Sequence, residues 1–248
     1  MAFIAYCEKE HINKRRAKDI KPKEQRDIFY CQNTECNCKF TVAALNSDKI
    51  RTHFVKLPSS EHIAGCWNDV RLPESGDKDD YNTSDFSPVS LLESVQQEKN
   101  KKAPVKKPEI DNFGFHPGTI PKETLYIHTI RQLYSVCLMN DDSDEINGIE
   151  IKGIFAGRKT SYLYTRYISG IKLVECSYYS YDAESNIIKF RFPYGKNNFM
   201  IQARFKSTEL FKKIRKELYN YKRPILIYAM WNNNVADIKS QQQMVPLK

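Results

Sequence analysis

No run in the 248-residue chain approaches the roughly 20 consecutive apolar residues of a membrane-spanning helix, so none is expected. Glycine is scarce, at nine residues, and nowhere forms the Gly-rich loop that cradles phosphates. A nucleophile-elbow serine and a His-centred triad are also missing, which leaves those hydrolase classes without support. Residues 1–9 turn charged too soon for a secretory signal, so the cytoplasm is the expected compartment. Reduced thiols there favour metal binding over disulfides.

Acidic residues are the minority among the charges. Thirty Asp and Glu face 39 Lys and Arg, a net charge of +9 that makes polyanions the first partners to consider. Fifteen Tyr and thirteen Phe add rings on which bases could stack.

Cysteine is unevenly spread. Four of the seven, Cys31, Cys36, Cys38 and Cys66, fall between Tyr30 and Trp67, together with His53 and His62. Zinc takes four soft or borderline ligands in a tetrahedron, supplied as two local pairs on turns. Cys31, Cys36, His62 and Cys66 supply such pairs as C-x4-C and H-x3-C. Cys38 competes with Cys36 for the second position, Cys36 giving the more usual loop. His53 precedes an aromatic and reads as a packed imidazole or one that supports a ligand. Apolar segments at 40–45 and 54–57 would form a hairpin beside the metal. Four protein ligands leave no open position, so the zinc would be structural.

Tyr30-Cys31, Cys36, His53-Phe54, and His62 with Cys66 resemble the zinc-binding N-terminal region of competence CoiA-like bacterial proteins. The likeness covers about residues 3–67. It implies a setting among nucleic-acid-processing partners rather than an activity. The extra Cys38 and the wider first pair depart from that pattern.

Composition divides the chain into a zinc module over 1–70, a linker over 71–123 and a β-rich domain over 124–248. The linker is polar and turn-rich, has a basic stretch from Lys99 to Lys107, and contains one island, 88–97, with Val89, Leu92 and Val95 on a helix face. Phe113, Phe115 and Pro117 would anchor its end. Upstream, the basic run from Lys14 to Lys18 sits in a polar excursion between strands at 3–6 and 28–30, and could face phosphate. Beyond the linker, Thr129 caps a helix with Ile130, Leu133, Tyr134 and Cys137 on one stripe, making Cys137 a core thiol. Period-two stretches at 149–155, 162–168, 171–179, 187–192 and 199–206 predict strands. A helix follows, capped by Ser207 or Thr208 with a stripe of Leu210, Ile214, Leu218 and Tyr221. Strands at 225–231 and 235–238 come next, then a frayed end.

The fold class expected is α+β: a small zinc-binding module linked to a mainly antiparallel β domain. Strands, a helix and closing strands resemble an OB-fold over about 146–240. That resemblance implies binding of single-stranded nucleic acid or oligosaccharide on one sheet face. In the hairpin of 187–206, Ile188, Phe190 and Phe192 oppose Lys189 and Arg191. Arg204 and Lys206 extend the basic face. Tyr162, Tyr164 and Tyr178, from a set that also holds Tyr167, Tyr179, Tyr181 and Tyr194, would supply stacking rings. The reading is a zinc-stabilised, non-enzymatic accessory protein binding single-stranded nucleic acid. The alternatives are a protein-interaction adaptor, and a metal-dependent nuclease built on Glu150-x-Lys152 with the acidic loop at Asp141, Asp142, Asp144 and Glu145.

Overall fold

Strict alternation in the C-terminal half produces a closed barrel. In the computed structural model, which describes residues 2–47, 50–64, 66, 68–69, 83–97, 127–195 and 199–247, this half holds the largest of three sheets among those residues. The basic stretch at Lys99 and the anchors Phe113, Phe115 and Pro117 lie outside the described residues.

The barrel strands are β9 (Gly170–Asp182), β10 (Ile187–Phe192), β11 (Phe199–Phe205), β12 (Ile225–Asn232) and β13 (Val235–Ile238). β9, β10 and β11 form an antiparallel meander. β11 then pairs with β13 in parallel, β13 pairs antiparallel with β12, and β12 returns to β9. Closure leaves these five without an unpaired edge. Val174, Cys176, Ile188, Phe190, Phe192, Ile201 and Ala203 fill the interior from alternate positions.

Between β11 and β12 runs α4 (Thr208–Leu218), with the Ser207 hydroxyl accepting from the Leu210 amide at 3.2 Å. Its buried stripe is Phe211, Ile214 and Leu218; Leu210 and Tyr221 are only half-buried. Phe211 takes the lead because its ring lies 5.9 Å from that of Phe205 at the barrel end.

Two expected strands are wound up instead. Residues 149–155 split into β7 (Ile149–Glu150), which hairpins with β6 (Glu145–Ile146), then α3 (Ile151–Ile154) and β8 (Phe155–Ala156). The carbonyls of Asp144 and Asp142 take the Ile151 and Lys152 amides at 2.8 and 2.9 Å, which turns the chain. Residues 158–163 form a 3-10 turn because Thr160 bonds both the Gly157 amide and the Phe155 carbonyl. So three barrel strands, fewer than the five stretches expected, precede α4. Nor does the end fray: β14 (Met244–Pro246) pairs with β12.

A second core covers one side of the barrel wall. It packs α1 (Pro88–Gln96), α2 (Ile130–Met139) and α3 on Leu173, Leu226 and Tyr228. The α2 stripe is buried as expected, Cys137 completely. In α1 the buried residues are Leu91, Leu92 and Val95, and Val89 faces solvent. Among the described residues no helix is long and apolar enough to cross a membrane.

The N-terminal half forms an antiparallel sheet of β1 (Ile4–Tyr6), β2 (Lys14–Arg16), β3 (Phe29–Tyr30), β4 (Lys39–Ala43) and β5 (His53–Lys56), in the order β2-β1-β3-β4-β5. It curls until Ala2 exchanges hydrogen bonds with Phe54, around Ala5, Phe29, Phe40 and Val42. The expected polar excursion contains β2, and three of its cations are held by carboxylates. Lys14 pairs with Asp141 at 2.7 Å, Arg16 with Asp144, and Arg15 with Glu24. The acidic loop after α2 thus clasps this sheet to the barrel side.

Candidate metal centre

The chain brings its first two ligands together by turns. β3 ends at Tyr30, and the Cys31 amide donates to the Cys38 carbonyl at 2.9 Å, closing a loop. Inside it, the Cys36 amide donates to the Asn33 carbonyl at 2.8 Å. After β5, the Ser60 hydroxyl accepts from the Lys39 amide at 2.8 Å, which swings the chain back over β4. His62 then lies edge-on to Phe40, with ring centroids 5.5 Å apart. A last turn, from the Cys66 amide to the Ile63 carbonyl, delivers Cys66.

The donor atoms of Cys31, Cys36, His62 and Cys66 all lie within 4.8 Å of one another. Cys31 Sγ is 3.7 Å from Cys66 Sγ and 3.6 Å from His62 Nδ1; Cys36 Sγ is 3.4 Å from the same nitrogen. That sulfur separation far exceeds the bond of about 2.05 Å in a disulfide. The four could hold a metal ion. Amides from Asn33 and Asn68 point at the sulfurs: Asn33 N and Asn68 Nδ2 at Cys31, and Asn33 Nδ2 at Cys66, each at 3.4 Å. Such donors favour thiolates, the form that binds metal. The bond with Cys31 draws the Cys66 thiol down; burial opposes this, while His62 and Asn33 add to it. The same bond and burial push Cys31 up.

The choice between Cys36 and Cys38 falls to Cys36. Cys38 is buried outside the cluster, its sulfur 4.0 Å from the Lys39 carbonyl. His53 is a packed imidazole, bonded to the Arg51 carbonyl at 2.8 Å and tilted against Phe3.

The residues expected to contact nucleic acid divide. Lys189, Arg191 and Arg204 sit on the outer face, opposite the buried Ile188, Phe190, Phe192, Ile201, Ala203 and Phe205, and Lys206 is exposed just past β11. Arg204 is paired there with Asp237 at 2.7 Å. The three tyrosines are not arranged around these cations. Tyr164 is buried, edge-on to Phe192, with its hydroxyl donating to the Lys152 carbonyl at 2.8 Å, so it offers no face to a base. Tyr178 packs on the barrel core, because alternation from Val174 and Cys176 turns it inward. Tyr162 is exposed, but its hydroxyl is tied to Asp142. The ring beside the cations is Tyr179, 48% exposed, with the Arg191 guanidinium 4.2 Å from its centroid.

Glu150 and Lys152 pair with each other at 2.7 Å across the turn into α3, and Asp141 and Asp144 are held by Lys14 and Arg16. Among the described residues, the Cys and His cluster is the only group of three or more His, Cys, Asp or Glu side chains placed to share an ion.

A buried charged network went unforeseen in the sequence. Glu175 on β9 accepts from the Arg158 guanidinium at 2.8 and 3.1 Å, from the Arg158 amide at 3.1 Å and from the Tyr134 hydroxyl at 3.0 Å. Arg158 also reaches the Cys66 carbonyl at 3.5 Å and lies 5.0 Å over the Tyr194 ring. The carboxylate approaches so closely that a Cβ on Gly157 would sit 2.9 Å from Glu175 Oε2 and 2.3 Å from the Phe155 ring. Gly157→Ala is therefore expected to destabilise the barrel by about 1–3 kcal/mol, the usual range for overpacking, read as a lowered urea midpoint with an unchanged slope. The chain matches no family model, no curated protein and no solved structure.

Proposed function

We propose that the ion is zinc, that its role is structural, and that this is an accessory protein binding nucleic acid, with single strands preferred, on a barrel of the OB-fold. With Zn–S near 2.3 Å and Zn–N near 2.0–2.1 Å, a tetrahedron has S···S edges of about 3.8 Å and S···N edges of about 3.6 Å. The separations of 3.7, 3.6 and 3.4 Å fit those edges. Four protein ligands leave no place for a reactive water. Three meander strands, a helix and two closing strands follow the order of an OB-fold, whose ligands cross the outer sheet face. The head's resemblance to competence CoiA-like proteins implies the same setting.

The observation that carries the reading is Arg191 stacked on the exposed ring of Tyr179, with Lys189 on the same face and Lys206 exposed just past β11. Single-strand grooves combine such cations with rings that accept any base. Among the described residues, α1, α2 and α3 pack on the side of the barrel marked by Leu173, Leu226 and Tyr228.

A filter-binding titration of single- and double-stranded oligonucleotides at two salt concentrations tests it, on protein of measured zinc content. Tighter binding of single strands is expected, weakening steeply with salt. Tyr179→Ala should weaken it by about tenfold, within the 1–3 kcal/mol per stacked base, and Arg191→Ala by a similar factor. Unchanged affinity in both variants, or affinity insensitive to salt, would overturn the assignment.

A further inference from the structure

The outer face of β10 and β11 does not use all the exposed rings of the barrel. A bulge between β9 and β10 leaves Tyr179 without a partner: Phe190 faces Tyr178, while Lys189 faces Ser180. The extra residue changes the alternation. Tyr179 stays outward beside Arg191, and Tyr181, which strict alternation would send the same way, turns toward α4. There it lies edge-on to Phe211, 39% exposed, under the guanidinium of Arg215 at 4.8 Å. Tyr219, 60% exposed, ends α4 one turn beyond Arg215, its amide donating to the Arg215 carbonyl at 2.9 Å.

This second group has the same make-up as the first. Each has an exposed tyrosine held flat by an arginine, which fixes the ring without hiding it. Cations outnumber acids on α4 and just after it, while Asp182 and Glu184 follow Tyr181 at the end of β9. Lys212, Lys213 and Lys216 point outward from α4, and Lys222 and Arg223 follow; none has a carboxylate partner among the described residues. Of the two acids on the helix, Glu217 is occupied by Gln241 and Glu209 sits in the first turn. Two residues along a strand span roughly 6.6 Å, so Tyr179 and Tyr181 are close enough to serve consecutive parts of one ligand.

We propose that a single strand crossing the open sheet face at Tyr179 and Arg191 turns over the bulged end of β9 onto a second contact made by Tyr181, Tyr219 and Arg215, with Lys212 and Lys216 meeting its phosphates. The proposal rests on the nucleic-acid reading above. It makes the barrel's site longer than its sheet face, and it makes the bulge the point where the strand changes direction.

Fluorescence anisotropy with labelled oligothymidylates of about 4 and about 16 nucleotides, the ends of the usual site-size range for such barrels, tests it. Tyr181→Ala with Tyr219→Ala should weaken the longer oligonucleotide by about tenfold and leave the shorter one unchanged. Tyr181→Phe, which keeps the ring and its packing on Phe211, should restore the affinity. Lys212→Gln with Lys216→Gln should reduce the salt slope for the longer oligonucleotide by about 1.4, at about 0.7 per phosphate contact. Equal weakening at both lengths, or none at either, overturns the second contact while the sheet face stands. Failure of the wild-type protein to bind either length overturns both readings. Displacement of the longer oligonucleotide from α4 by polyglutamate, with the sheet-face contact intact, overturns the choice of partner in favour of an acidic polypeptide.

Discussion

Stripping the ion with a chelator is expected to unfold residues 1–70 while the barrel keeps its structure. The N-terminal sheet has strands of only two to five residues, and Cys31, Cys36, Cys38 and Cys66 make up a third of its twelve-residue buried cluster. A unit of that size rarely supplies more than about 3–5 kcal/mol from its own core. Structural zinc contributes an apparent 10–16 kcal/mol at neutral pH in zinc-finger peptides, so its loss would exceed what the sheet can hold. The barrel has a separate core of Phe190, Phe192, Ile201, Phe211 and Trp231, none of which touches the ligands. Hydrogen exchange should show amides of β3, β4 and β5 losing protection on chelation, with β9 to β13 unaffected. Cys66→Ser should give the same pattern and lose the bound equivalent of metal. A metal-free sample with full protection in β4 and β5 would refute the structural role of the ion.

Replacing Arg158 with alanine is expected to lower stability by about 3–5 kcal/mol, because it leaves the Glu175 carboxylate charged, buried and unpaired. The pair's side chains are 7% and 1% exposed, so water cannot take the place of the guanidinium. For a chain of this length the loss corresponds to a fall in Tm of about 6–20 °C. Tyr134 would remain as the sole side-chain donor to that carboxylate. Glu175→Gln should be milder, since a neutral amide can still accept from Arg158 and Tyr134. Replacing both members, as Arg158→Met with Glu175→Leu, should recover much of the loss, since a buried pair often does no better than apolar residues of similar volume. Calorimetry on the three variants separates the cases. A change below about 1 kcal/mol for Arg158→Ala would mean that the pair is solvated in solution.

The metal cluster was legible because its signal is local and chemical: soft ligands in pairs, at spacings that turns can close. The inward set of β10 and β11 was legible because alternation is uninterrupted from Ile187 to Phe192 and from Phe199 to Phe205. Tyr164 misled because its stretch carries apolar and aromatic residues at strand-like spacing, while Thr160 commits the chain to a turn through two hydrogen bonds. Tyr178 was separable from Tyr179 by counting from Val174 and Cys176. The side that Tyr181 takes was not, since a bulge arises from the pairing of two strands and leaves no mark on either alone. The Glu175 network joins positions 17 to 41 residues apart, and neither Arg158 nor Glu175 stands out in a chain that is 28% charged.

The clasp between β2 and the acidic loop bears on which surface a polyanion can reach. Asp141 and Asp144 present carboxylates to Lys14 and Arg16 as phosphates would, and they do so from the same chain. A tethered decoy competes at an effective concentration in the millimolar range, well above that of a passing duplex. A polyanion therefore meets these two cations already occupied, and binding there would first have to displace Asp141 and Asp144.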